Sequence, residues 1–390
     1  MSEVGRFFVS LLLCCFLLSR SIAAAGQGLE SPAQRCFEPR AVIQTSAWLT
    51  GIYFSPSGRL VTQRGRKRLK VWDVSTGRVN REYTGNDNQI SAVAFSLDGS
   101  RIAAGDRGSK AWVWETATGR LVARFETKQN DEISELALAP DGKLLATIGE
   151  GGCYWTNTCN TKVKLWDVEA GRLKATLSLP SLENVIFSKL AFSPDGKTLA
   201  TVLEWKAALW DAGSGELRAK LIDPASGGSL LHEAAGDSPR EIAFSPNGRV
   251  LAVLGFYSGH VKLWDVGSGK LIASSRELAP GEAVRSICFS ADGRLMAWGG
   301  FRKQIKIYDL EAGKVVRIFR GDGRIKSVSF SPDGRLLAAS DDSNTHVWET
   351  ASGRLQQKLA KSAQAVFSPD GRTLATSYDD DLTLRDVSCR

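Results

Sequence analysis

Histidine is scarce in this chain of 390 residues: His232, His260 and His346 are the three. That argues against a His-rich metal centre and against chemistry needing several imidazoles. Proline is sparse too, 12 against 38 Gly, and the Gly recur at turn-like positions rather than in one block. With 43% hydrophobic and 24% charged residues, collagen-like fibres and wholesale disorder are excluded. One-signed charge is missing: 50 Lys and Arg stand against 42 Asp and Glu, a net +8. Such a mixed surface is not a nucleic-acid stripe. Long apolar runs are missing after residues 7–18, FFVSLLLCCFLL. That run is too short to span a bilayer, which takes about 20 apolar residues.

What precedes and follows that run gives it a meaning. Arg6 is a positive start and Ala23-Ala24-Ala25 a small-residue cleavage pattern, so residues 1–25 are expected to be a secretory signal peptide. A retained anchor is the alternative. The expected location is secreted or periplasmic, without stable membrane insertion. Of seven Cys, Cys14 and Cys15 belong to the signal; Cys36, Cys153, Cys159, Cys288 and Cys389 remain, in a compartment that permits disulfides.

A repeat fills the rest. Its first anchor is an apolar strand ending in FSPDG or a variant, starting at Phe54, Phe95, Leu138, Phe192, Phe244, Phe289, Phe330 and Phe367. Its second is a Trp-Asp-type triplet starting at Val71, Val113, Leu165, Leu209, Leu263, Ile307, Val347 and Leu384. Phe54 to Phe367 spans 313 residues in seven intervals, about 45 per repeat, the period of a four-stranded propeller blade. Pro and Gly make SPDG a tight turn between two strands. A Thr-Gly-Arg-type turn follows most second anchors, as at Thr118-Gly119-Arg120. Such small sheets are apolar on both faces and are buried by stacking around an axis.

On these anchors the chain resembles WD-repeat β-propellers over roughly residues 40–388. The resemblance implies an all-β fold: a single eight-bladed β-propeller of four-stranded antiparallel blades, here residues 40–390, with 26–39 as an N-terminal extension. It also implies a rigid scaffold that binds other proteins, enzymes being rare in the family. The family's Gly-His pair is replaced by Gly85-Asn86, Gly236-Asp237 and Gly321-Asp322. The buried His–Ser–Asp–Trp hydrogen-bond network is therefore expected to be absent. Tyr308 and Arg385 stand where the other six copies have Trp, and Arg385 has no account at this level.

The eighth repeat stops after Val387 and lacks a fourth strand. Residues 40–45, RAVIQT, are expected to supply it and close the ring. That topology brings Cys36 and Cys389 together as a disulfide, two terminal thiols being the alternative. Cys153 and Cys159 are expected to staple their own loop, and Cys288 to be a buried small hydrophobe.

Strand order puts the SPDG and Thr-Gly-Arg turns on one face and the more variable loops on the other. Variable loops on a rigid frame are where recognition sits. The candidate partner-binding residues are Tyr154, Trp155, Trp205, Phe256, Tyr257, Phe301 and Arg302, with Arg64 and Lys67 from the first blade. Aromatics and Arg together are the composition of interface hot spots; aromatics that merely cover blade ends are the alternative. The 222–239 loop is read as passive surface, and Asp341-Asp342 and Asp379-Asp380-Asp381 as solvated turns. GxSxG, HExxH and GxxxxGK[ST] are missing from the sequence. The function expected is an exported scaffold binding a protein or peptide, monomeric by itself, without cofactor, metal or nucleic acid. A propeller hydrolase or lyase working at the central channel mouth is the alternative class. A third is a membrane-associated assembly factor held by a retained N-terminal segment.

Overall fold

A computed structural model describes residues 37–44, 49–56, 58, 60–64, 69–83, 88–127, 131–151, 162–178, 187–203, 206–221, 239–255, 261–274, 284–378 and 381–387. They form 32 strands in eight four-stranded antiparallel sheets. No helix among them is long and apolar enough to cross a membrane. Seven sheets are cut from continuous chain: blade 1 (49–83), blade 2 (90–126), blade 3 (131–177), blade 4 (187–221), blade 5 (239–274), blade 6 (284–320) and blade 7 (327–360). In each, the strand before SPDG is innermost and the strand after the second turn outermost.

Local chemistry explains the turns. In blade 4 the Ser193 hydroxyl donates to Asp195 Oδ1 at 2.6 Å and accepts Thr198 N–H at 2.9 Å, and Gly196 takes φ +70°. The same Ser–Asp bond recurs at Ser96, Ser290, Ser331 and Ser368. Blades then stack by apolar contact. Leu190, Phe192 and Trp210 of blade 4 pack on Ile148, Val163 and Leu165 of blade 3. All six Trp of the Trp-Asp position are buried, as is Tyr308, which makes them packing residues. Cys288 packs between blades 6 and 7.

The expectation of an absent hydrogen-bond network is corrected in part. Trp166 Nε1 donates to Thr147 Oγ1 at 3.0 Å and Trp210 Nε1 to Thr201 Oγ1 at 2.8 Å. In blade 5 the matching position is Val253, and Trp264 Nε1 has no partner. The Trp–Thr limb survives where a Thr stands opposite, without the Gly-His pair.

Blade 8 joins both ends of the chain. Strands Gln364–Phe367, Thr373–Tyr378 and Asp381–Asp386 are completed by Pro39–Gln44, antiparallel to the last of them, with Val42 opposite Thr383. The expected closing strand is present, one residue earlier than read from sequence. Phe54 and Trp72 of blade 1 share a core with Ile43, Val366, Ala375, Leu382 and Leu384 of blade 8, so the first and last blades meet. Cys36, Cys153, Cys159 and Cys389, the 1–25 segment, and the 222–238 part of the long loop lie outside the described residues.

One irregularity positions the functional face. The inner strands of blades 1 to 6 each carry a bulge at the residue four before the anchor Phe or Leu, as between Ile90 and Ala92, Pro239 and Glu241, and Val284 and Ser286. A bulge leaves its residue out of the ladder and re-aims the side chain. It falls at the strand's start, on the loop face.

Candidate interaction surface

Most of the residues picked from sequence, Tyr154, Trp155, Trp205, Phe256, Tyr257 and Lys67, lie outside the described residues. Arg64 ends the second strand of blade 1, opposite Leu49. Phe301 and Arg302 are described, both exposed, in the turn joining the second and third strands of blade 6. Lys303 completes that turn in the left-handed region, φ 60°.

Phe301 is 41% exposed, yet its ring is not bare. The Arg285 guanidinium lies 4.9 Å from the ring centroid and that of Arg324 5.3 Å away. Such contacts are worth about 0.5–2 kcal/mol each, depending on solvation. Arg285 is the bulge residue of the blade 6 inner strand; Arg324 sits on the connection into blade 7. Neither makes a hydrogen bond or ion pair among the described residues, and Arg285 Nε is buried without an acceptor. Beside them Lys326 Nζ meets Asp342 Oδ1 at 2.9 Å. The Lys326 hydrogen bond holds the Asp342 carboxyl below the usual range; partial burial opposes this, and the charges of Lys326, Arg324 and Arg285 reinforce it.

Arg285, Arg324 and Lys326 were not picked from sequence, although a signal exists. The positions four before the anchor are Thr50, Ser91, Ser134, Ser188, Arg240, Arg285, Lys326 and Ala363. Blades 1 to 4 place a hydroxyl residue there, blades 5 to 7 a cation. In blade 2 the Ser91 hydroxyl donates to Gly105 O and, across to blade 3, to Ile133 O. In blade 2 the small residue thus ties two blades together.

A second cluster lies nearby. Asp322, Asp341 and His346 bring ligand-type atoms within 4.8 Å of one another. The His346 ring stacks on Trp348 at 5.3 Å, and Nε2 lies 3.2 Å from Asp322 Oδ2. The same oxygen takes Lys358 Nζ at 2.6 Å, and this hydrogen bond keeps the Asp322 carboxyl below its ordinary range. Asp341 Oδ1 accepts Ser343 and Asn344 N–H at 2.8 Å each, and Oδ2 accepts Gly323 N–H at 3.0 Å. Asp322 Oδ2 and both Asp341 oxygens already have ammonium, imidazole or backbone partners, which a cation would have to share. The cluster locks two loops together. Asp341, 1% exposed, is thus a buried loop anchor and not the solvated turn residue expected; Asp342 is exposed as expected.

Carboxylates on the inner strands are committed as well. Lys189 Nζ and Glu135 Oε2 pair across blades 4 and 3 at 2.6 Å, both buried, and Glu241 Oε2 accepts Ile287 N–H across blades 5 and 6 at 3.2 Å. They act as ties between blades.

Eight radial sheets, a strand borrowed to close the ring, a uniform turn face and a divergent loop face define a repeat propeller built to present loops. A family model described as WD domain, G-beta repeat matches residues 77–115, 229–265 and 313–349. The first and third matches begin at a turn Gly, so the sequence repeat runs one strand out of phase with the structural blade. Three stretches of the chain are thus repeats of the WD type. It is similar to small ribosomal subunit protein RACK1 of Caenorhabditis elegans, 26% identical over 164 residues, 39% of this chain and 46% of that protein. It is similar to RACK1y of Oryza sativa subsp. japonica, 24% identical over 176 residues, 42% and 49% of the two chains. WD repeat-containing protein SL1-17 of Schistosoma mansoni is 28% identical over 209 residues, 53% and 61% of the two. The chain spans about half the length of the first two relatives it matches.

Proposed function

We propose that the protein is an exported, non-enzymatic scaffold that binds a protein or peptide partner through its loop face. One observation carries the reading: Phe301 stands exposed between Arg285 and Arg324, contributed by a strand bulge and an inter-blade connection of a closed ring. An aromatic flanked by Arg on a rigid support is what interface anchors require. The WD-type repeats the chain carries support a binding role in general. Export rests on the expected 1–25 signal.

A photo-crosslinking residue placed at Arg302 in the full chain, expressed in its source, is expected to capture one defined protein. The same residue at Arg335, on the turn face, is expected to capture none. Equal capture from both positions, or capture from Arg335 alone, removes the loop-face reading. N-terminal sequencing of the protein recovered from its compartment is expected to begin at Gly26; a chain still starting at Met1 contradicts cleavage and export by that route.

A further inference from the structure

The loop face is not electrically uniform. Along the rim, the bulge positions of blades 1 to 4 hold Thr50, Ser91, Ser134 and Ser188, and those of blades 5 and 6 hold Arg240 and Arg285. Blade 7 continues the series with Lys326, whose backbone N–H donates to Ser340 O at 2.7 Å. Around Phe301 this gathers Arg285, Arg302, Lys303, Arg324 and Lys326, against which Asp342 is ion-paired with Lys326 and lies within reach of the charges of Arg324 and Arg285. Asp322 and Asp341 are taken up by Lys358, His346 and backbone N–H groups. The Arg285 and Arg324 guanidiniums, stacked on one ring, keep their N–H forks uncommitted among the described residues. Guanidinium forks match carboxylates bidentately, and a half-exposed ring between them accepts an apolar side chain.

We propose that the sector of the loop face over blades 6 and 7 is a docking site for an acidic peptide segment, with carboxylates held by Arg285 and Arg324 and a neighbouring apolar side chain on Phe301. This rests on the loop-face reading above and gives it a partner chemistry. Arg285 has the more constrained role. The bulge fixes its backbone, and Phe301 lies 4.9 Å from its guanidinium. Carboxylates on the two guanidiniums add charge-assisted hydrogen bonds that a segment without carboxylates cannot make, so affinity falls for such a segment.

The test uses the full-length protein and a fluorescein-labelled peptide of alternating Glu and Leu, read by fluorescence anisotropy at low salt. Its comparison is the same peptide with Gln for every Glu. The Glu peptide is expected to bind, and the Gln copy about tenfold or more weaker. Arg324→Glu, an exposed change that spares the core, is expected to weaken the Glu peptide about tenfold or more. Arg335→Glu, with the same charge change on the turn face, is expected to leave it unaltered. Phe301→Ala is expected to weaken it several-fold and Arg285→Gln likewise, with circular dichroism verifying the fold.

Failure of the Glu peptide to bind, equal affinity for the two peptides, or an Arg335→Glu loss matching that of Arg324→Glu overturns the proposal. So does competition by inorganic polyphosphate together with a silent Phe301→Ala, since a bare polyanion site has no use for the ring. If crosslinking at Arg302 still captures a protein while these arms fail, the acidic chemistry is wrong and the surface stands. If both fail, the surface is wrong too.

Discussion

Blade 8 and the seven others solve one packing problem with different parts. In an ordinary blade the Trp of the Trp-Asp strand packs on the preceding blade, as Trp348 does on Phe319 and Ile307 of blade 6. Blade 8 has Arg385 at that position, and its core against blade 7 contains Phe37 instead, 4% exposed among Ala338, Val347, Leu359 and Phe367. Arg385 Nη1 donates to Phe37 O at 3.2 Å, and Phe37 N–H to Asp386 O at 2.9 Å. Burial pushes the Arg385 guanidinium below its ordinary pKa, with Glu38 acting against this. The aromatic has moved from the last blade's own strand to the opposite terminus, and the Arg left behind holds that terminus by its backbone. A closure built this way cannot form until both ends of the chain are in place.

The largest test of that difference is Phe37→Ala. Removing a buried aromatic costs about 3–5 kcal/mol, so urea unfolding is expected to show a loss comparable to Trp348→Ala at an ordinary junction. Phe37 sits in the left-handed region, φ 62°, a strain of about 1–2 kcal/mol that its packing outweighs. Arg385→Trp sharpens the point. With Phe37 present the new ring overpacks the site and costs about 1–3 kcal/mol. In the Phe37→Ala background it is expected to restore part of the lost stability. Additive effects of the two changes would show that Phe37 and Arg385 do not share a site.

A smaller effect compares turn glycines. Gly77 of blade 1 and Gly171 of blade 3 have nearly equal φ, 66° and 64°. A Cβ on Gly171 meets nothing within 4 Å, whereas one on Gly77 lies 3.2 Å from Ala41 of the borrowed strand. Gly215 meets Ala175 of the preceding blade in the same way, at 2.8 Å, so the closing junction copies an ordinary one. Gly171→Ala is expected to cost about 1–2 kcal/mol for backbone conformation alone. Gly77→Ala is expected to cost about 1 kcal/mol more, measured by the same urea midpoints. Equal losses would place the borrowed strand away from the turn in solution.

The ring was legible in the sequence because its determinants are local and repeated. The FSPDG anchor, the Trp-Asp strand and the turn Gly each act within one blade, and eight copies correct one another. The spare strand, read at residues 40–45 and found at 39–44, was legible for the same reason, since a missing fourth strand leaves one vacancy. Phe37 was not, because its role appears only once Arg385 is seen against it from the other end of the chain. At the surface, Phe301 and Arg302 stood out by composition in a variable loop. Arg285 and Lys326 did not, because they occupy a repeat position where four blades carry a hydroxyl residue. His346 was hidden similarly, two residues before Trp348 where blades 1, 3, 5 and 6 carry Lys70, Lys164, Lys262 and Lys306.

The finest contrast concerns the carboxylate of the Trp-Asp pair. In ordinary blades it caps the following turn: Asp73 Oδ1 accepts Ser75 and Thr76 N–H at 2.8 and 2.9 Å, and Asp265 Oδ1 accepts Ser268 N–H at 2.7 Å. In blade 8 Asp386 Oδ1 pairs with Arg40 of the borrowed strand at 3.1 Å. The Ser75 hydroxyl holds the Asp73 carboxyl below its ordinary pKa, and the Ser268 hydroxyl does the same for Asp265. A depressed folded pKa stabilises above the unfolded value, about 3.9, and that contribution is lost as pH falls through the folded value. Stability is therefore expected to decline from about pH 5 downward. Replacing Asp73 and Asp265 by Asn, which keeps an acceptor oxygen but not the charge, is expected to lower the urea midpoint at neutral pH slightly and to flatten the acid decline. The effect is small because both groups face solvent, which screens them. An acid limb as steep in the double variant as in the parent would mean that the caps act by shape alone.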